Sequence, residues 1–141
     1  MKIRSVLDTN VIFSGLYSKQ AASFQVLKAV VARKIQPVLS VALLFEYEDV
    51  LKRKAEKLGF TSDEIDAFLD NICDLAHHQR VHYLWRPFLT DPKDDHVLEL
   101  AVASRVKTIT TFNVRDFDGV EQFGVNIISP RRLLEEIRWE H

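Results

Sequence analysis

VLDTN, residues 6–10, closes the first apolar run of the chain and sets a carboxylate, Asp8, directly before two small polar residues, Thr9 and Asn10. The preceding segment KIRSVLD (2–8) has the β-branched character of a short strand. An acid at the tip of a buried strand is either a turn and capping group or a functional group facing a cleft. Asn10 is itself a good N-cap for a helix beginning at VIFSGLY (11–17), a helix expected to be loosened at Gly15, so Asp8 is not required for capping. The rest of the chain has to say which reading of Asp8 holds.

Working outward, AASFQVLKAVVARK (21–34) carries helical apolar spacing at Phe24, Leu27, Val30 and Val31. IQPVLS (35–40) reads as a second strand, its proline marking a strand start or an edge. Ser40 caps a long helix through VALLFEYEDVLKRKAEKL that ends at Gly59. Thr61 and Glu64 are spaced as a capping box for a helix over 61–78. VHYLW (81–85) is predicted as the third strand. Asp91 and Pro92 open a helix to about Arg105, KTITT (107–111) and GVNIIS (124–129) give the fourth and fifth strands, and Pro130 starts the last helix. Strands and helices alternate throughout, which predicts one α/β domain over residues 1–141. Its architecture is a central parallel sheet of four to five strands covered by helices on both faces. Right-handed crossovers place all strand carboxyl ends on one edge, where α/β sheets bind ligands.

Composition narrows the function. The 141 residues are 47 % hydrophobic, enough for a sizeable core, with a formal net charge of −1. That balance lacks the strongly basic signature of many nucleic-acid binders, but a nuclease whose acidic site is offset by surrounding basic residues remains compatible. A single cysteine, Cys73, excludes an internal disulfide framework and a multi-cysteine zinc site, and reads as a buried, inert thiol. No apolar run reaches the length of a membrane span, and the N-terminus is too short and too soon broken by Asp8 for a signal peptide. A soluble, cytoplasmic protein is expected.

Four acids fall after strands or near helix starts. Asp8 ends strand one. Asp95, with Asp94 beside it, lies in the first turn of the helix after LTDP. Asp116 follows strand four in TTFNVRDF. Glu46 lies about two turns into the helix after strand two. Each has a plain structural reading: DPKDD is what a helix dipole favours, and NVRD resembles a turn. On a helical wheel Glu46 and Glu48 border the apolar arc on opposite sides, so periodicity does not choose between them. Gathered on one sheet edge, the acids would repel; two carboxylates ~4 Å apart cost about 4 kcal/mol at an effective dielectric of about 20. A hard divalent cation, Mg²⁺ or Mn²⁺, is the natural partner of such an oxygen site, and its usual chemistry is phosphoryl hydrolysis.

These residues carry a resemblance over nearly the whole chain. LDTNVI resembles the opening motif of PIN-domain ribonucleases of the kind found as toxins of toxin–antitoxin pairs (VapC-like). LSVALLFEYEDVL resembles the family's helix with a Ser and a Glu, and selects Glu46. DPKDDHVLELAVAS resembles the third motif, where spacing to Leu98 and Ala101 favours Asp95 with Asp94 close behind. TITTFNVRDF resembles the fourth, giving Thr111, Asn113 and Asp116, and NIISPRRLLEEI resembles the family's strand–proline–helix ending. The resemblance implies a three-layer α/β/α PIN-like fold and a metal-dependent endoribonuclease. Asp8, Glu46, Asp95 and Asp116 would hold Mg²⁺ or Mn²⁺ and act in catalysis, with Thr9, Asn10, Asp94, Thr111 and Asn113 in support. The chain departs from the pattern at Asn113, where many members carry Asp; an amide orients a water or a carboxylate but brings no charge.

Positive charge for RNA is expected from Lys93 and Arg115, which adjoin site residues, while Lys52, Arg53, Lys54 and Lys57 read as a solvated helix face. His77, His78, His82 and His96 show no metal spacing near the acids and are expected to be surface or core residues. A cognate antitoxin and a homodimer follow from the resemblance alone. Two other readings compete. A receiver-like phosphoacceptor module would need an acidic pair at the first strand and a Lys after the fifth, which NIISPRR lacks. A catalytically degenerate PIN-fold RNA- or protein-binding module is kept open by Asn113.

Overall fold

A computed structural model describes residues 2–81, 89 and 92–139, except the side chains of residues 92, 93 and 139. Five parallel strands form one sheet in the order β3-β2-β1-β4-β5. The central strand β1 (Ile3–Leu7) lies between β2 (Ile35–Leu39) and β4 (Thr108–Thr110). Ile3 faces Ile35 across one ladder and Leu7 faces Thr110 across the other. The short β3 (His77–His78) and β5 (Asn126–Ile128) extend the two sides. Helices α1 (Thr9–Tyr17), α2 (Ala22–Val31), α3 (Val41–Arg53), α4 (Ala55–Leu58), α5 (Ser62–Leu75), α6 (Pro92–Ser104) and α7 (Pro130–Trp139) flank the sheet in a three-layer α/β/α arrangement. Val6, Leu7, Val38, Leu39 and Ile109 of the strands are sealed in the core against Leu43, Tyr47, Leu98 and Ala101 of α3 and α6. Their burial is continuous rather than alternating, as strands covered on both faces require.

Pro37 sits inside β2 rather than at its start. The ladder with β3 begins only at Val38, so the outer side of β2 is a local edge at Pro37 and its missing N–H breaks no pairing there. Between β1 and β4 lies a buried hydroxyl cluster. Ser5 Oγ stands 2.8 Å from Thr110 Oγ1 and 3.1 Å from Thr108 O, and Thr108 Oγ1 donates to Ser5 Oγ at 3.0 Å. Polar groups sealed in a core need such partners, and a one-residue slip of the register would leave all three hydroxyls unsatisfied.

Several local expectations are corrected. The described third strand is His77–His78, which was not expected, while the strand expected at VHYLW (81–85) lies outside the described residues from 82 on. The helix expected over 61–78 starts with its capping box, Thr61 and Glu64 bonded reciprocally, but stops at Leu75. There the extended Ala76 turns the chain onto the edge of β2, and Gln79 N–H donates to Leu39 O at 2.8 Å. The long helix expected from Ser40 to Gly59 breaks at Lys54 into α3 and α4. Lys54 and Lys57 then lie over the Phe13 ring at 4.6 and 5.9 Å, and Lys57 also over Tyr17 at 5.4 Å, which clasps α4 onto α1. Gly15 does not loosen α1. A Cβ there would lie 2.6 Å from Leu27 Cδ1 and 2.9 Å from Ser23 O, so the glycine is what lets α1 and α2 approach. Cys73 is half-buried rather than buried, and burial, then Asp70 and Asp74, push its thiol above the ordinary range, the direction of an unreactive group.

Candidate acidic site

The site is built where β1 passes directly into α1. Asp8 is the N-cap of α1, with extended backbone (φ −64°, ψ 152°), and its Oδ1 accepts the Thr9 N–H at 2.8 Å. The cap is therefore Asp8 and not Asn10, which is the second residue of the helix. Strand and helix share no linker, so the last residue of the turn has to serve both. Capping uses one oxygen only. The other, Oδ2, accepts the Thr111 hydroxyl at 2.7 Å from the end of β4. Thr111 Oγ1 also accepts from Asn113 N–H at 3.0 Å and from Asn10 Nδ2 at 3.2 Å. Asn10 Oδ1 in turn receives the Phe112 N–H at 3.4 Å. One hydroxyl thus ties the ends of β1 and β4 together around a buried carboxylate.

Glu46 reaches the same place from α3. Thr9 Oγ1 donates to Glu46 Oε2, and His96 Nε2 on α6 lies 3.0 Å from Glu46 Oε1. The ambiguity of the helical wheel is settled in geometry, since Glu48 turns to Lys52 at 3.1 Å. Beneath the pair, the fully buried Tyr47 hydroxyl donates to Leu7 O and holds α3 to the end of β1.

The charges follow from these contacts. Burial pushes the Asp8 carboxyl above its ordinary value; the Thr111 and Thr9 bonds oppose that shift and the Glu46 charge adds to it. For Glu46 burial also pushes upward, but bonds from His96 and Thr9 and the His96 charge outweigh it and hold the group below its ordinary value. His96 moves the other way. Burial depresses it, yet the Glu46 bond and the charges of Glu46, Asp8 and Asp94 raise it above the ordinary imidazole range. Tyr47 stays protonated, pushed well up by burial and then by Asp8 and Glu46.

The remaining residues expected at the site are placed as follows. Asp94 is half-buried in the first turn of α6, near enough for His96 to feel its charge. Asp95 is buried and its Oδ1 accepts the Leu89 N–H at 3.0 Å. Asp116 is half-buried in the short 3₁₀ turn Val114–Phe117, where its backbone N–H donates to Asn113 O; its carboxylate makes no hydrogen bond or ion pair among the described residues. Arg115 is exposed in the same turn, and the side chain of Lys93 lies outside the described set. Among the described residues no group of three or more His, Cys, Asp or Glu side chains stands close enough to hold a metal ion. The basic run on α3 and α4 is engaged rather than free: Lys52 pairs with Glu48 and Asp66, Arg53 with Asp49, and Lys54 and Lys57 with aromatic rings. His96 is the residue that sequence reasoning missed. It was expected at the surface or in the core, and its partner lies 50 positions upstream, so no local spacing announces the pair.

A parallel α/β sheet that buries an acid at the tip of its central strand, beside a second acid from the helix after the neighbouring strand, has the layout of a nuclease-type fold. The family model described as the PIN domain matches residues 4–115, and the chain belongs to that family, whose members are generally nucleases. The match contains Asp8, Glu46, Asp94, Asp95, Thr111 and Asn113 and ends one residue before Asp116. No curated protein matches the chain. No helix among the described residues is long and apolar enough to cross a membrane.

Proposed function

We propose that the protein is a metal-dependent endoribonuclease that hydrolyses RNA phosphodiester bonds, and that it is the VapC-like toxin of a toxin–antitoxin pair. The observation that carries this reading is the convergence of Asp8 and Glu46, from β1 and α3, on one partly desolvated spot. Burial makes the ionised form of Asp8 costly, and a second carboxylate beside it raises the cost. A cation removes that cost. The donors are hard oxygens with no thiolate among them, which fits Mg²⁺ or Mn²⁺. Asp8 and Glu46 would hold the ion, joined by Asp95 and Asp116. When bound, it would supply charge neutralisation and Lewis acidity toward a phosphodiester.

The chain's own residues do the positioning. Thr111 fixes Oδ2 of Asp8 and leaves the carboxylate little rotational freedom. Thr9 and His96 hold both oxygens of Glu46 in the same way. Asn10 and Asn113 brace Thr111, and Asp94 biases His96 toward its charged form. Arg115, and Lys93 at the start of α6, would meet RNA phosphates. In this reading the toxin acts in the cytoplasm, a cognate antitoxin would cover the acidic cleft, and a homodimer would present two such clefts.

Metal-dependent cleavage of single-stranded RNA by the wild type, lost in Asp8→Asn with an unchanged circular dichroism spectrum, is the expected result. Equal cleavage by purified Asp8→Asn would remove the assignment. The absence of a three-ligand cluster among the described residues favours one second reading, a degenerate PIN fold that binds RNA or protein without cutting. It predicts RNA or protein binding with no turnover at any Mg²⁺ or Mn²⁺ concentration.

A further inference from the structure

Directly after Thr111, which holds Asp8, the chain exposes an aromatic ring. Phe112 is 50 % exposed, and Val114 two residues on is 55 % exposed. Isolated apolar side chains on a surface need no explanation. Phe112 differs in how it is held. Its own N–H donates to Asn10 Oδ1, the next N–H donates to Thr111 Oγ1, and the preceding N–H donates to Ile128 O at 3.0 Å. The backbone at and after the ring is thus bonded to Asn10 and Thr111, beside Asp8, and the residue before it is bonded to β5. β4 adjoins β1 in the sheet, so the segment carrying Phe112 leaves the strand next to the one that leads into Asp8.

Resting on the ribonuclease reading above, we infer that Phe112 is a stacking platform for an unpaired nucleobase next to the scissile phosphate, which makes single-stranded RNA the preferred substrate. Two features of the molecule support this occupant. The net charge is −1 and the pocket itself is acidic, so attraction to the phosphate backbone is weak and affinity has to come from another source. Stacking on an aromatic face supplies it without charge and tolerates any base. The same ring rejects a duplex, whose bases already stack on one another. Arg115, exposed three residues on and without an ion pair among the described residues, is placed to meet a neighbouring phosphate.

The test is binding of a fluorescently labelled single-stranded oligoadenylate, with EDTA present to prevent cleavage. Wild type, Phe112→Ala and Phe112→Trp are compared, each also against an abasic oligomer of the same length. Phe112→Ala is expected to weaken oligoadenylate binding about 5- to 150-fold, Phe112→Trp to retain it, and all three to bind the abasic strand equally poorly. Phe112 is a surface side chain, so both variants should melt at the wild-type temperature. Unchanged binding in Phe112→Ala overturns the platform and leaves the exposed ring to a protein partner. If the wild type still cleaves RNA with Mg²⁺ or Mn²⁺ in that case, the ribonuclease reading survives alone. A wild type that neither binds nor cleaves single-stranded RNA sinks both.

Discussion

Replacing Thr111 by Val keeps the shape of a fully buried side chain and deletes one oxygen. That oxygen makes three hydrogen bonds: to Asp8 Oδ2 at 2.7 Å, from Asn113 N–H at 3.0 Å and from Asn10 Nδ2 at 3.2 Å. The first goes to a carboxylate that is only 7 % exposed, so little water can replace it. Bonds to charged groups are each worth about 1.5–3 kcal/mol, and the two neutral bonds lie in half-open positions where solvent recovers much of their value. The expected loss of stability is therefore about 2–4 kcal/mol, dominated by the carboxylate. Losing the bond also pushes the Asp8 pKa further up, because the Thr111 hydroxyl is the largest influence holding it down. Urea denaturation of Thr111→Val, with and without Asp8→Asn, measures both terms. The cycle should return a coupling of more than about 1 kcal/mol between the two residues, since Asp8→Asn already removes the charge that makes the bond strong. Thr111→Ser, which restores the oxygen, should recover most of the loss. A Thr111→Val variant within about 0.5 kcal/mol of wild type, or a coupling near zero, would refute the account of how Thr111 holds Asp8.

Gly15→Ala should destabilise the protein by about 1–3 kcal/mol, although alanine is the better helix former, because its Cβ would collide with Leu27 and with Ser23 O on α2; a rise in melting temperature would contradict the close approach of α1 and α2. The Glu46–His96 pair should give stability a pH optimum. Glu46, held low, contributes fully above its ordinary value of 4.5 and loses that contribution as pH falls through its lowered one. His96, held high, contributes fully below 6.5 and loses it as pH rises through its raised value. The window of full contribution is thus pH 4.5 to 6.5. Thermal melts at about pH 5.5 and about pH 8.5 should show a larger loss for wild type than for His96→Gln. Parallel pH profiles would remove the pair as a source of stability.

Much of this architecture is legible in the sequence because alternating strand and helix patterns are long-range signals that survive local error. Asp8 could be singled out because strand ends are where a parallel sheet presents its chemistry. The failures share a different cause. His77–His78 is a strand only because β2 offers an edge to it, and two residues carry no periodicity of their own. Asp8 looked dispensable as a cap because Asn10 stood two places later, whereas the helix starts without a linker and takes the nearest side chain. Gly15 carries its meaning in Leu27, on another helix. His96 belongs with Glu46 through space alone. Each of these depends on a neighbour that the local pattern does not contain, and the choice between Glu46 and Glu48 was open in the wheel for the same reason.

Asp8 and the hydroxyl that steadies it are 103 positions apart, and the Ser5 cluster below them spans a similar gap. A partly made chain emerging from the ribosome therefore carries both Asp8 and Glu46 long before β4 arrives to close over them. Until it does, the first acid has no Thr111 to orient it and β1 has no partner on that side. Loop closure over so many residues is slow compared with forming the intervening helices. A chain cut short before Thr108 thus lacks both the strand that pairs with β1 on that side and the hydroxyl that orients Asp8.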